Sequence, residues 1–292
     1  MASLFSSVRN TGAQSSAMEA TQAPAAAFAI ISNWIAFHVS LNKRVNEPQY
    51  INQSTTSLCG PAAFMYCVAK HQPEVYRRYV LDLAEHGKAR IGQLEIIPSD
   101  ACRRTKGVDI DPVDWIALAS LRDSTNRMMS MSKGGNTAAG ITTPGDLESW
   151  FDRCGLFHGT GNYTQAVTGS NLHTIIAANA SHSTGSFVCL LVRAAIISGV
   201  GNAGTKFRSN LPKTASFTPD HWIVLAEPIL IGGRVAASAV PAINTSVSRP
   251  QDQHIDVRVY SWGKYYRITD VYPELTAGQF LRYFYGHVAA GI

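Results

Sequence analysis

Apolar positions recur at helical spacing through the first half of the chain and give way to β-branched and aromatic runs in the second. From Ala25 to Leu41 an apolar run of 17 residues is interrupted by Ser32, Asn33, His38 and Ser40. That predicts a helix packed on the domain, since a bilayer crossing takes about 20 residues and this run is short and alanine-rich. Pro61 suits the first turn of a second helix whose apolar face is Phe64, Met65 and Val68, which puts Cys59 at its N-terminus. A third starts at Pro73, spaces Val75, Tyr76, Tyr79, Val80 and Leu83 helically, and stops near Gly87. Shorter helical signals cover Val113 to Leu121 and Leu147 to Cys154, the latter opened by Thr143-Pro144 and closed by Gly155. Beyond Gly185, "SFVCLLVRAAII" (186–197), "HWIVLAEPILI" (221–231) and "IDVRVYSWGKYYRI" (255–268) predict strands between polar loops, and "AGQFLRYFYGHVAAG" (277–291) a closing helix. Helices first and antiparallel strands second give an α+β class, a helical N-terminal half packed on a C-terminal antiparallel β-sheet.

At 292 residues the chain suits one main domain with a short extension. Residues 1–49 form a polar leader plus the apolar helix, serving secretion, chaperone binding or packing, and residues 50–292 form the main domain. Only 15% of residues are charged, so the surface leans on Ser, Thr, Asn and Gly. The net charge of +5 is scattered apart from pairs such as Arg77-Arg78 and Arg103-Arg104, which makes no nucleic-acid stripe. Five cysteines form an odd set without a CxxC pair or zinc-ligand spacing, so neither a disulfide framework nor a metal is expected, and thiols stay reduced where the chain acts. Cys67, Cys154 and Cys189 read as small buried hydrophobes. The first residues lack the basic and early apolar parts of an export signal, and no stable membrane span or organic cofactor is expected.

The stretch "QSTTSLCGP" (53–61) carries the chemistry. A cysteine at a helix start meets free N–H groups that favour thiolate, and its own N–H can line an oxyanion pocket. Its activation needs a base, and His221 is the best-placed histidine because it opens an apolar strand directly after a polar loop. His71, His86 and His254 lie in polar surroundings and are expected to face solvent, while His173 and His182 lack a comparable strand.

These residues resemble the papain-like cysteine peptidases in their broad sense. Gln53 stands six positions before Cys59, Gly60-Pro61-Ala62 follows, and "HWIVL" begins with His221, in the order and spacing of that family. The resemblance implies a papain-like fold over roughly residues 50–290. It also implies that Cys59 attacks a carbonyl, His221 takes and returns the proton, and Gln53 with the Cys59 N–H holds the oxyanion. The family's third residue is an Asn or Asp preceding "SWG". Here "YSWG" puts Tyr260 in that place, leaving Ser261, Asp256, Asp270 or no residue to orient the histidine, with Trp262 covering the site. The nucleophile segment together with "DHWIVL", "VYSWG" and "FLRYFYGHVAA" also looks like cysteine-peptidase-like toxin modules of bacterial secretion effectors, type VI effectors among them. That likeness implies delivery by a non-Sec route into the reducing cytoplasm of a target cell, a protein or peptide substrate, and a cognate immunity protein, with a secretion chaperone or carrier as a further partner.

"GVGNAG" (199–204) matches a dinucleotide fingerprint but is followed by a polar, proline-interrupted stretch, so a loop is expected. The long loops 199–220 and 232–254 are expected to shape access to His221 or to meet an inhibitory partner. A cysteine peptidase, a peptidoglycan amidase using the same Cys-His chemistry, and a catalytically inactive binding module are the functions that fit.

Overall fold

The computed structural model describes residues 26–125, 142–165, 170–198, 219–236 and 249–292. Helix α1 (Trp34–Asn46) starts later than the apolar run suggests, because the Asn33 side chain caps the Ala36 N–H and the residues before it turn against their neighbours. Helices α2 (Cys59–His71) and α3 (Pro73–His86) follow, with Gly87 closing α3 in the left-handed conformation. A hairpin missed in the helical reading of the first half, β1 (Ala89–Ile91) and β2 (Leu94–Ile96), leads to α4 (Asp100–Arg104). Pro112–Asp114, the π-helical Trp115–Ala119 and Ser120–Thr125 run on as α5. Helix α6 (Pro144–Cys154) carries the expected ends: Thr143 and Asp146 form a reciprocal capping box and Gly155 is left-handed.

Strand β3 (His158–Asn162), α7 (Leu172–Ser183), β4 (Phe187–Val192) and α8 (Ala195–Ser198) come next. The predicted strand 186–197 is thus a strand with a helical turn after it. The run 221–231 divides into β5 (His221–Leu225) and β6 (Leu230–Ile231), and β7 (Arg234–Val235) pairs with β6. The run 255–268 divides into β8 (Ile255–Asp256), β9 (Arg258–Ser261) and β10 (Lys264–Arg267). Short helices α9 (Ile268–Val271) and α10 (Ala277–Leu281) precede β11 (Phe284–Gly291).

The closing helix expected over 277–291 is therefore corrected: it stops at Leu281, and the rest is a fully buried strand between β4 and β3. Aromatic and β-branched residues from Tyr283 to Val288 suit a strand covered on both faces. Gly286, at φ 95°, permits the kink there, since a Cβ would fall 2.2 Å from the Tyr163 carbonyl oxygen.

The six-stranded sheet has the order β10-β9-β5-β4-β11-β3 and is antiparallel throughout. One face, including Cys189, Leu191, Trp222, Val224, Tyr260 and Val288, shares a core with α1, α2, α3, α5 and α6. The other, including Leu190, Val192, Ile223, Leu225 and Val259, packs with α7, α10 and the small sheet β7-β6-β8. Coverage on both faces explains why β4 and β5 read as unbroken apolar runs. The fold is mixed α+β, helices packed on antiparallel sheets.

Helix α1 enters the first core through Phe37, Leu41 and Val45. It also sends Arg44 to Asp114 of α5, with Nε to Oδ1 at 2.8 Å and Nη2 to Oδ2 at 2.6 Å. Among the described residues no helix is long and apolar enough to cross a membrane. All five cysteines are buried and free.

Candidate active site

Helix α2, which starts with Cys59, is placed by apolar packing on all sides. Every residue of α2 from Cys59 to Ala69 is buried, and Phe64 meets Trp150 and Phe151 of α6 edge-on at 5.9 and 5.1 Å between centroids. Its N-terminus faces the start of β5, where Val192 of β4 pairs with His221. The result is a cavity of about 980 Å³ lined by residues 52–57, Cys59, Thr142, Leu191, Ala194, residues 219–222 and Trp262. Gln53 and Cys59, six positions apart, thus share one cavity with His221, which is distant in sequence.

Ser261 joins them through the histidine. The register Leu225↔Val259 puts His221 and Ser261 on one face of neighbouring strands, and His221 Nε2 lies 2.8 Å from Ser261 Oγ. Tyr260 points the other way: it stacks on Tyr66 at 3.9 Å and donates its hydroxyl to the Ile51 carbonyl, anchoring the loop that leads to Gln53. Asp256 is engaged by Arg267 and Thr269, and Asp270 lies on α9; neither lines the cavity. Ser261 is the histidine's partner here.

Trp262 and Gly263 make a two-residue turn between Ser261 and Lys264, both at positive φ (42° and 77°). A tryptophan in that region costs about 1–3 kcal/mol, and it lays the indole over the His221 ring at 4.4 Å and 24°. The ring is thereby shielded, and only 3% of His221 is exposed.

The Ser/Thr run after Gln53 is a local lock. Thr56 donates its N–H and its hydroxyl to the Gln53 carbonyl, and Gln53 Nε2 donates back to the Thr56 carbonyl at 3.0 Å. Gln53 is buried on the cavity wall with one of its two amide hydrogens so engaged. The loop is anchored from behind as well, because Ser54 N–H donates to Asn52 Oδ1 at 2.8 Å and Tyr260 holds the Ile51 carbonyl.

Burial works against the pull of the helix start. Burial pushes the Cys59 thiol up to about 11, outweighing the N–H groups of Trp222, Gly60 and Cys59 that pull it down, and the nearby Asp220 adds to the rise. Burial likewise pushes His221 down to about 3. Both shifts favour the uncharged forms of thiol and imidazole, and no hydrogen bond joins the two side chains. From this, alkylation of Cys59 by iodoacetamide, which needs thiolate, is expected to climb about tenfold per pH unit from pH 6 to pH 10. A plateau already reached at pH 6 in a stopped alkylation series would instead indicate a preformed ion pair.

Sequence reasoning passed over Thr142, Asp220 and Trp222 as cavity residues. Asp220, the one charged residue among the described lining residues, accepts from the Ala194 N–H at 2.6 Å. The Trp222 indole donates to the Thr142 carbonyl at 2.9 Å. Its position directly after His221 was the available signal. His86 and His254 are exposed, as is His173. The 199–204 glycine motif and most of the two long loops lie outside the described residues. Among the described residues no cluster of three or more His, Cys, Asp or Glu side chains is arranged to hold a metal ion. Comparison with family models, curated proteins and solved structures finds no match for this chain.

Proposed function

We propose that this protein is a papain-like cysteine peptidase that acts as a bacterial effector on a protein inside a target cell. One observation carries the reading: a single cavity holds Cys59 at a helix N-terminus, Gln53, and a buried His221 whose Nε2 is paired with Ser261. In the tautomer that donates Nε2–H to Ser261 Oγ, Nδ1 is left as the base.

The chemistry follows. Sγ of Cys59 bonds to the substrate carbonyl carbon while its proton passes to Nδ1 of His221, and the carbonyl oxygen takes the negative charge. Collapse breaks the C–N bond, the leaving amine takes the proton from the imidazolium, and a thioester remains on Cys59. Water, deprotonated by the same Nδ1, then releases the acid and regenerates the thiol. Because both groups start neutral, charge separates only as the bond forms, under the cover of Trp262.

The effector part of the reading rests on the sequence likeness, and it brings with it a non-Sec route out of the producer and a cognate immunity protein as partner. It is tested by expressing the full chain in bacterial cytoplasm and, with an export signal attached, in periplasm. Growth arrest from the cytoplasm that disappears with Cys59→Ala is expected. Arrest from the periplasm alone would replace the peptidase with a peptidoglycan amidase. Arrest undiminished by Cys59→Ala would favour the inactive binding module.

A further inference from the structure

Thr142 has an unexplained hydroxyl. The residue is 5% exposed, lines the cavity with Cys59 and Gln53, and its Oγ1 has no hydrogen-bond partner. A buried hydroxyl without a partner is costly, and valine in its place would be of the same shape without that cost. The position is held deliberately: the Trp222 indole clamps the Thr142 carbonyl, and the side chain lies directly on Gly60. A Cβ at Gly60 would fall 2.3 Å from Thr142 Cβ and Oγ1, so the helix residue beside the nucleophile must be glycine for Thr142 to approach.

Among the described residues the other donors around that spot are few. Pro61 has no N–H, and the Ala62 N–H is spent on the Leu58 carbonyl at 2.9 Å. That leaves the N–H groups of Cys59 and Gly60 in the first turn, and both act on the Cys59 sulfur. Gln53 has committed one amide hydrogen to Thr56. Among the described residues, an oxyanion forming on a carbonyl attached to Cys59 thus meets the remaining Gln53 amide hydrogen and, beside the helix start, one orphaned hydroxyl.

We propose that Thr142 is an oxyanion donor: on substrate binding its hydroxyl turns about χ1 from its place against Gly60 and donates to the carbonyl oxygen of the group attacked by Cys59. This inference rests on the thiol-hydrolase reading above. It assigns to Thr142 a catalytic contact that stabilises charge in the transition state and leaves the reactivity of the thiol itself unchanged.

Two reagents separate those effects. Acylation of Cys59 by p-nitrophenyl acetate passes through an oxyanion, whereas alkylation by iodoacetamide does not. Thr142→Val in the full chain is expected to slow acylation about 10- to 100-fold and leave alkylation within about twofold, with a melting temperature equal to or above that of the wild type. Thr142→Ser, which keeps the hydroxyl, is expected to restore acylation to within a few-fold. Acylation unchanged in Thr142→Val, or acylation and alkylation falling together, would overturn the assignment. A wild type alkylated at Cys59 but never acylated there would instead remove the thiol-hydrolase reading, and the proposal with it.

Discussion

His221→Ala is expected to slow acylation of Cys59 by p-nitrophenyl acetate by about 10²–10⁴-fold at pH 7.5, the range that a positioned general base supplies. The size follows from the resting state. Burial pushes the thiol up to about 11 and the imidazole down to about 3, which disfavours thiolate at neutral pH, and among the described lining residues His221 is the side chain suited to take the thiol proton. Asp220 is the one carboxylate among the described lining residues, and its effect on Cys59 is to disfavour the thiolate. Removing the imidazole therefore leaves attack to the small thiolate fraction. Ser261→Ala is expected to cost less, about tenfold, because it removes one hydrogen bond from a ring that Trp262 still covers. The same series read by initial rates checks both, and a His221→Ala variant within threefold of wild type would contradict the proposed role of His221 as base.

The second large effect concerns the fold behind the site. Arg44→Leu is expected to destabilise the protein by about 3–5 kcal/mol at pH 7, the usual cost of stripping one partner from a buried ion pair. Burial by itself would lower Arg44, but its bonds to Asp114 outweigh that and raise it. Asp114, with no exposed surface, is pushed by burial up to about 6 even against the pull of Arg44. Without the guanidinium its folded value rises further above the unfolded one, near 4. A group raised on folding favours the native state below its unfolded value and loses that contribution as pH rises through the folded value. The deficit of Arg44→Leu is thus largest at neutral pH and shrinks as pH falls toward 4, which urea unfolding at several pH values will read. Because the Asn52 backbone also favours the charged form of Asp114, the variant is expected to loosen the Gln53 loop and slow acylation as well.

What could be read from the sequence was whatever is decided locally. Thr143 and Gly155 mark the ends of α6 because capping involves residues three or four apart, and Pro61 marks α2 because its fixed φ suits a first turn. Cys59, Gln53 and His221 could be picked out because each sits at a junction of polar and apolar patterns. Ser261 was legible only as the nearest polar residue, and what selects it over Asp256 and Asp270 is the register of β9 against β5. The fate of residues 284–291 was not legible, because a strand buried on both faces has the composition of a buried helix; its place between β4 and β3 is set by partners far along the chain. The opposing effect of burial on Cys59 was not legible for a related reason. The helix N-terminus is a local property, whereas the burial that outweighs it comes from β5 and the loop before α2. Thr142 was invisible, since its meaning lies in contact with Gly60 and Trp222.

The most direct test of the central claim is to locate the acyl group. Wild-type protein treated with p-nitrophenyl acetate at pH 7.5, quenched in acid and mapped by peptide mass spectrometry, is predicted to carry a hydroxylamine-labile acetyl group on Cys59 and none on Cys67, Cys102, Cys154 or Cys189. Acetyl groups confined to surface lysines, with Cys59 unmodified yet still open to alkylation, would contradict the account.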